Sequence, residues 1–274
     1  MPFLKIIRPI NFVFVVITTL FGALYPNFHH INRFMIFAAL SAALIAAAGY
    51  VVNDYFDRNI DKINRPDRMI PSGKISPNSA YLLGVFLFIV GLSLSFFTAK
   101  AACIIMAFVN TWVLFFYAKS FKMKFLSGNL AVAYASASTF IFGALVANNL
   151  KNVIAISIVA FLFTLIREFI KDVQDYKGDK DFGAHTMAVV LGQKSMIKYS
   201  IGVLFAMAVF IGYAYFIKMI SLPILIAHSI LVLLPVFLIL KDLSKKMDER
   251  SFSVVSHFFK FDMIVVILIF YFGR

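Results

Sequence analysis

Apolar runs of roughly 17 to 22 residues recur from one end of this 274-residue chain to the other, each sufficient to cross a hydrocarbon core of about 30 Å as a helix. Inside a bilayer every backbone N–H and C=O must find a partner within the protein, and a helix does this within its own segment. The pattern therefore predicts an all-α integral membrane protein. Composition agrees: 62 % of residues are hydrophobic and 14 % charged, against roughly 25 % charged in a soluble domain. Little chain is left over for a separate soluble domain, so residues 1–274 are read as one domain.

The apolar runs place helices near 10–27, 33–53, 80–97, 101–117, 128–147, 152–170, 196–217, 220–240 and 254–272, about nine spans in one bundle. The first run has no small-residue cleavage site and is followed by similar runs, so it reads as the first membrane helix and not as a signal peptide. Cys103, the single cysteine, lies inside an apolar run, which leaves neither disulfides nor thiolate metal sites to organise the fold.

Nine spans put the termini on opposite sides, and the basic residues then segregate. One side collects Lys5, Arg8, Arg58, Lys62, Arg65, Arg68, Lys74, Lys119, Lys122, Lys124, Arg167, Lys171, Lys177, Lys180, Lys194, Lys198, Lys241, Lys245, Lys246 and Arg250. The other has Arg33, Lys100, Lys151, Lys218 and Arg274, with Lys260 inside the ninth span. By the positive-inside rule the crowded side is cytoplasmic, with the N-terminus and the loops after the second, fourth, sixth and eighth helices. Topology and attraction to anionic membrane lipids account for most of the net charge of +13. The short basic loops argue against a nucleic-acid partner.

Nine of the thirteen acidic residues fall in two segments: Asp54, Asp57, Asp61 and Asp67, then Glu168, Asp172, Asp175, Asp179 and Asp181. Both segments follow even-numbered helices and so share the cytoplasmic side. If the second helix continues through NDYFDRNID, then Asn53, Asp57 and Asp61 are spaced i, i+4, i+8 on one face. Like charges stacked this way repel, so the arrangement calls for a cation. In REFIKDVQDYKGD, Glu168, Asp172, Asp175 and Asp179 also share a helical face, with Gly178 expected to end the helix before Asp179. A few hard oxygen ligands suit magnesium, which keeps waters and completes its shell with substrate phosphates. Two such clusters would clamp a diphosphate, and Arg65, Arg68, Lys74, Arg167 and Lys171 could contact its remaining oxygens. The competing account is a pair of solvated loops with incidental ion pairs, which is weakened by two clusters recurring at helical spacing on one side.

These residues resemble the UbiA superfamily of intramembrane prenyltransferases. The family's NDxxDxxxD pattern followed by RPxRPxxxG matches Asn53, Asp54, Asp57 and Asp61, then Arg65, Pro66, Arg68, Pro71 and Gly73, with the second proline displaced. A second KDxxDxxGD pattern matches Asp172, Asp175 and Asp179, with Glu168 and Gly178 in keeping. The resemblance implies catalysis by Asn53, Asp57, Asp61, Asp172 and Asp175, with Asp54 and Asp179 as further magnesium ligands. It implies a prenyl diphosphate donor, loss of pyrophosphate and capture of an allylic cation by a lipid or aromatic acceptor. Lys119 and Lys122, in YAKSFK, could bind phosphate on either substrate, or could serve topology alone.

Polar groups within the spans carry a burial cost unless they meet partners or a cavity. They are Asn11, Asn110, Tyr117, His228, His257, Lys260 and Asp262. Lys260 and Asp262 could compensate each other, and His228 is expected to be hydrogen-bonded in the core. Asn11 and Tyr117, near the cytoplasmic ends, are the candidates for substrate contact. Small residues in 38–49 and 128–143 are expected to serve close helix packing.

Branches of the family prenylate aromatic acids for quinones, haem, chlorophyll precursors, or the glycerol phosphate ether of archaeal lipids. The compact chain, the early KIIRPIN and the pairing of RPDRMIPSGKIS with REFIKDVQDYKGD look most like the archaeal lipid branch. There the sn-2 hydroxyl of geranylgeranylglyceryl phosphate receives a geranylgeranyl group. A quinone precursor such as 4-hydroxybenzoate is the alternative acceptor. A transporter is the alternative of another class, disfavoured because the polar residues gather at one face and not at the midplane.

Overall fold

The computed structural model describes residues 2–28, 30–245 and 249–274; between 249 and 262 it describes only the side chains at 252, 255 and 259, and it leaves out that of residue 64. The described residues contain helices and no strand. They run α1 (Pro2–Ile6), α2 (Pro9–Leu24), α3 (Arg33–Phe56), α4 (Arg58–Asn64), α5 (Pro77–Phe96) and α6 (Ala101–Lys119). A 3₁₀ turn at Phe121–Met123 precedes α7 (Ser127–Ala147), α8 (Leu150–Asp181), α9 (Met187–Leu191) and α10 (Gln193–Phe216). The last stretch is α11 (Leu222–His228), a π-turn at Ser229–Leu233, α12 (Leu234–Lys245) and α13 (Glu249–Phe272).

Seven helices among the described residues are long and apolar enough to cross a membrane: α3, α5, α6, α7, α8, α10 and the joined segment Leu222–Lys245. The first expected span appears as the shorter Pro9–Leu24, and the ninth lies within α13, whose side chains are fully described over Met263–Phe272. The sixth expected helix departs most, since α8 runs through the acidic motif to Asp181. Gly178 does not stop it. Gly183 does, with a φ of 71° that favours glycine, while the Ala184 and Gly183 N–H groups donate to the carbonyls of Asp179 and Lys180 at 2.9 and 3.1 Å.

The chain divides into two compact units, residues 1–122 with 138–153, and residues 123–137 with 154–274. In the first unit α3 packs against α2, α5 and α6, and its buried face is mostly small: Ala38, Ala39, Ser41, Ala42, Ala43, Ala47, Ala48 and Gly49. Helix association in lipid depends on such close backbone approach. The Ser41 hydroxyl donates to the Gly91 carbonyl at 2.7 Å, and a Cβ on Gly84 would come within 2.6 Å of Val52. Gly22 and Gly143 make the crossing of α2 and α7, where an added Cβ would run into the backbone of Phe140 and of Thr19 respectively. The second unit joins α10 to α12 and α11 to α13. Phe163 of α8 meets Phe259 of α13 edge-on at 5.5 Å.

The tight crossing sets a graded expectation. Gly143→Ala lowers stability by about 2 to 3 kcal/mol, because the overlap is with backbone and cannot be relieved by a rotamer change. Gly202→Ala, in α10 with no atom within 4 Å of its added Cβ, is neutral or stabilising by up to about 1 kcal/mol through helix propensity. Thermal unfolding of the two variants in detergent checks the pair.

Candidate active site

The first acidic motif closes α3. Asn53 and Asp54 lie in its last turn, Asp57 is its C-cap, and α4 carries Asp61. The backbone ladder survives the junction: Asp57 N–H donates to Asn53, Asp61 to Asp57 and Arg65 to Asp61, at 2.9, 2.8 and 2.9 Å. At about 100° per residue, Asp54 and Asp61 nearly coincide in azimuth while Asn53 and Asp57 lie to one side. Asn53, Asp57 and Asp61 fall within about 80° of one another, the single face expected from spacing, and its two edges take separate partners.

On one flank the Asn53 amide donates to Asp57 Oδ2 at 2.7 Å, and Lys122 Nζ, from the 3₁₀ turn, pairs with Asp57 Oδ1 and reaches Asn53 Oδ1 at 3.4 Å. On the other, Arg8 Nη2 donates to Asp54 Oδ1 at 2.8 Å. Arg68 Nη1 donates to the same oxygen at 3.2 Å and to Asp61 Oδ2 at 2.5 Å. Asp54 and Asp61 are both buried, and unpaired carboxylates there would carry a desolvation cost of several kcal/mol. Burial still pushes the Asp61 carboxyl above its ordinary value, against the opposing pull of Arg68. The guanidinium of Arg8 also lies over the Tyr50 ring, 4.7 Å from its centroid.

The second motif lies wholly on α8, so Glu168, Asp172, Asp175 and Asp179 share one continuous helix. Glu168 is buried and accepts from Arg167 Nη1 at 3.1 Å, with Lys171 Nζ 3.7 Å away. Asp172 Oδ2 accepts from the buried Asn129 amide at 2.8 Å, and Asp179 Oδ2 from the Thr186 hydroxyl at 3.4 Å. Asp175 is half-buried and has no hydrogen bond or ion pair among the described residues. The end of α8 is tied down by the Gln193 amide, which donates to the Val173 carbonyl at 3.0 Å.

Other expected site residues are placed less tightly. Lys74, Lys119 and Arg65 are exposed, with no ion pair among the described residues. Asn11 and Tyr117 are half-buried on α2 and α6. His228 departs from expectation: it is fully buried beside the π-turn, and neither ring nitrogen has a hydrogen-bond partner among the described residues. Asn110 is buried with its Oδ1 unpartnered. The side chains of His257, Lys260 and Asp262, including the expected Lys260–Asp262 compensation, lie outside the described residues. Three contacts were not read from the sequence: Arg8 on Asp54, Asn129 on Asp172, and Thr186 on Asp179. Their partners lie 46, 43 and 7 positions away.

Among the described residues no three His, Cys, Asp or Glu side chains converge as a preformed metal cage. Magnesium does not need one, since it usually takes one or two carboxylates and completes its octahedron with water and substrate phosphate. Asp175 and Oδ1 of Asp172, which have no partner among the described residues, are donors of that kind, whereas a metal at Asp57 would displace the Asn53 amide or Lys122.

The profile of the UbiA prenyltransferase family matches residues 15–262, which spans both motifs. The chain belongs to that family. It is accordingly a multi-pass membrane prenyltransferase. The chain is 38 % identical over 213 residues to digeranylgeranylglyceryl phosphate synthase of Methanothrix thermoacetophila, covering 76 % of this chain and 78 % of that one. A solved structure of digeranylgeranylglyceryl phosphate synthase superposes with a TM-score of 0.83 at 30 % identity, covering 99 % and 97 %. The UbiA homologue from Archaeoglobus fulgidus bound to DMAPP and Mg²⁺ shares the fold, with a TM-score of 0.74 at 17 % identity over 98 % and 99 %.

The UbiA site separates structural from exposed cations. Arg68→Ala strands the buried Asp61 carboxylate, while Asp54 keeps Arg8, and costs about 3 kcal/mol. Lys74→Ala leaves the unfolding temperature unchanged. An Arg68→Ala protein that melts with the wild type would refute the role of Arg68 in holding Asp54 and Asp61.

Proposed function

We propose that this prenyltransferase moves a geranylgeranyl group from geranylgeranyl diphosphate to the sn-2 hydroxyl of geranylgeranylglyceryl phosphate, forming the second ether bond of the lipid and releasing pyrophosphate. The observation that carries the proposal is the 30 % identity to a digeranylgeranylglyceryl phosphate synthase structure across nearly the whole of both chains. Residues 1–274 act as one catalytic domain, supported by a family match that runs through both compact units. The segregation of basic residues supports a cytoplasmic N-terminus and cytoplasmic motif loops in the cell membrane.

In this proposal Asn53, Asp57 and Asp61 of the first motif and Asp172, Asp175 and Asp179 of the second hold magnesium, while one Asp54 oxygen holds Arg8 and Arg68. Bound magnesium supplies neutralisation of the charge that develops on the departing pyrophosphate. Lys122 already neutralises Asp57 and serves the same end from the protein side. Arg167 and Lys171, drawn together by Glu168, present cations to phosphate oxygens from α8. Asn129 fixes the Asp172 carboxylate through one oxygen and leaves its other oxygen for a ligand. The donor's C1–O bond breaks with its electron pair leaving on pyrophosphate. The acceptor hydroxyl oxygen then bonds to C1 and releases its proton, which is acidic once the ether oxygen is formed. That order requires no strong general base.

Purified protein with radiolabelled geranylgeranyl diphosphate is expected to label geranylgeranylglyceryl phosphate and not 4-hydroxybenzoate. Labelling of the aromatic acid instead would overturn the acceptor. Asp57→Ala and Asp172→Ala each lower transfer by about a thousandfold or more while unfolding near the wild-type temperature, since each removes charge stabilisation at the reacting phosphate. Chelation of divalent ions abolishes turnover, and added magnesium restores it.

A further inference from the structure

Beside the first motif, within the first compact unit, lies a cavity of about 530 Å³ lined by Lys5, Ile6, Arg8, Asp54, Arg65, Pro66, Asp67, Arg68 and Met69. Its charge is lopsided, with four cations facing two carboxylates. Asp54 is committed, because its Oδ1 accepts from both Arg8 and Arg68. Asp67 is exposed on the loop between α4 and α5. Lys5 and Arg65 have no acidic partner among the described residues.

Arg8 is held from two sides, by Asp54 and by the Tyr50 ring, so its guanidinium is oriented before any ligand arrives. Only one donor of its fork is spent on protein, and most of the rest remain for an anion. Arg8 is also the N-cap of α2, held at φ 54°, and no side chain caps that helix. Non-glycine residues adopt this conformation at a cost.

The arrangement differs in kind from a metal-dependent diphosphate site. Such a site presents carboxylate oxygens to a metal, whereas here cationic side chains outnumber carboxylates and two guanidiniums take up one oxygen of Asp54. Arg68 is also held by Asp61, but the two cations with no acidic partner among the described residues, Lys5 and Arg65, match a phosphate monoester, which carries about −1.5 to −2 near neutral pH. The apolar atoms of Ile6, Pro66 and Met69 offer a wall for the carbons that bear it.

We propose that this cavity binds the acceptor's phosphate monoester, and that Lys5, Arg8 and Arg65 determine specificity for a phosphorylated acceptor, with Asp54 as the residue that positions Arg8. The proposal rests on the acceptor named above. It moves Arg65 from the donor diphosphate to the acceptor, and it gives Lys5 and Arg8 a role beyond membrane topology.

The test is kinetic, on full-length protein in nanodiscs. Lys5→Ala and the Lys5→Ala/Arg65→Ala pair alter exposed, unpaired side chains, and unfolding temperatures verify that both variants fold. The KM for geranylgeranylglyceryl phosphate is expected to rise by about tenfold for each charge-assisted hydrogen bond lost. The KM for geranylgeranyl diphosphate stays within about twofold of wild type, a level set by the absence of any such lost bond. An equal rise for both substrates assigns the cations to the diphosphate and overturns the proposal, as does no rise for either. Running the series with zwitterionic lipid alone and with added anionic lipid separates the sources of phosphate. A defect confined to the anionic discs would mean a lipid headgroup site and would also overturn it. If wild-type protein transfers nothing to geranylgeranylglyceryl phosphate, the proposed function fails by itself. Calorimetric binding of glycerol phosphate, lost in the double variant, would then still support the cavity, and its absence in wild type would reject it.

Discussion

Asp54 sits buried in the last turn of a membrane-spanning helix, and two guanidiniums converge on one of its oxygens. Neither half of this arrangement is stable without the other. A carboxylate there without cations would be desolvated and unpaid, and the cations without it would repel each other. Arg8 comes from the junction of α1 and α2, and Arg68 from the loop that follows α4. The pairing therefore ties the N-terminal segment and the motif loop to the end of α3, and shapes the cavity lined by all of them.

Helix packing supplies the frame in which such charges can be placed. Alanines and glycines on α3, α2 and α7 let backbones approach to distances that any larger side chain would prevent. The polar ends of these helices are held correspondingly close, so that Lys122, beyond the end of α6, reaches Asp57 at the end of α3. In the second unit a single long helix does similar work. By continuing through Gly178, α8 holds four acidic side chains on one helix, and Asn129 and Thr186 secure two of them while Asp175 has no partner among the described residues.

Much of this was legible without coordinates because it depends on local periodicity. Apolar runs mark helices by length, and acids three and four apart mark a helical face. The misreadings arose where a local rule met a longer-range balance. Gly178 looks like a helix stop, but helix propensity is a weak prior and the surrounding acid–base sequence continues the helix to Gly183. Asn53, Asp57 and Asp61 looked like one face. They do share one, but Lys122 takes Asp57, Arg68 takes Asp61 and Arg8 takes the neighbouring Asp54, partners that no local spacing records. Asn129 gave no signal at all, being one polar residue among small ones, and among the described residues His228 lacks the partner that a buried imidazole would be expected to have.

By itself the sequence determined that the chain is an all-helical membrane protein, which residues are apolar, and that acids gather in two motifs of the UbiA pattern. These follow from composition and spacing within a single helix, since hydrophobic transfer and the i, i+4 geometry act over a few residues. Only the tertiary structure decided which carboxylates are spent on arginine and lysine and which are left for a ligand. It alone turned Lys5 and Arg8 from topology signals, and Arg65 from a candidate diphosphate contact, into the lining of one cavity. Charge pairing acts through space between residues as many as 65 positions apart, and its outcome depends on burial that no local pattern records.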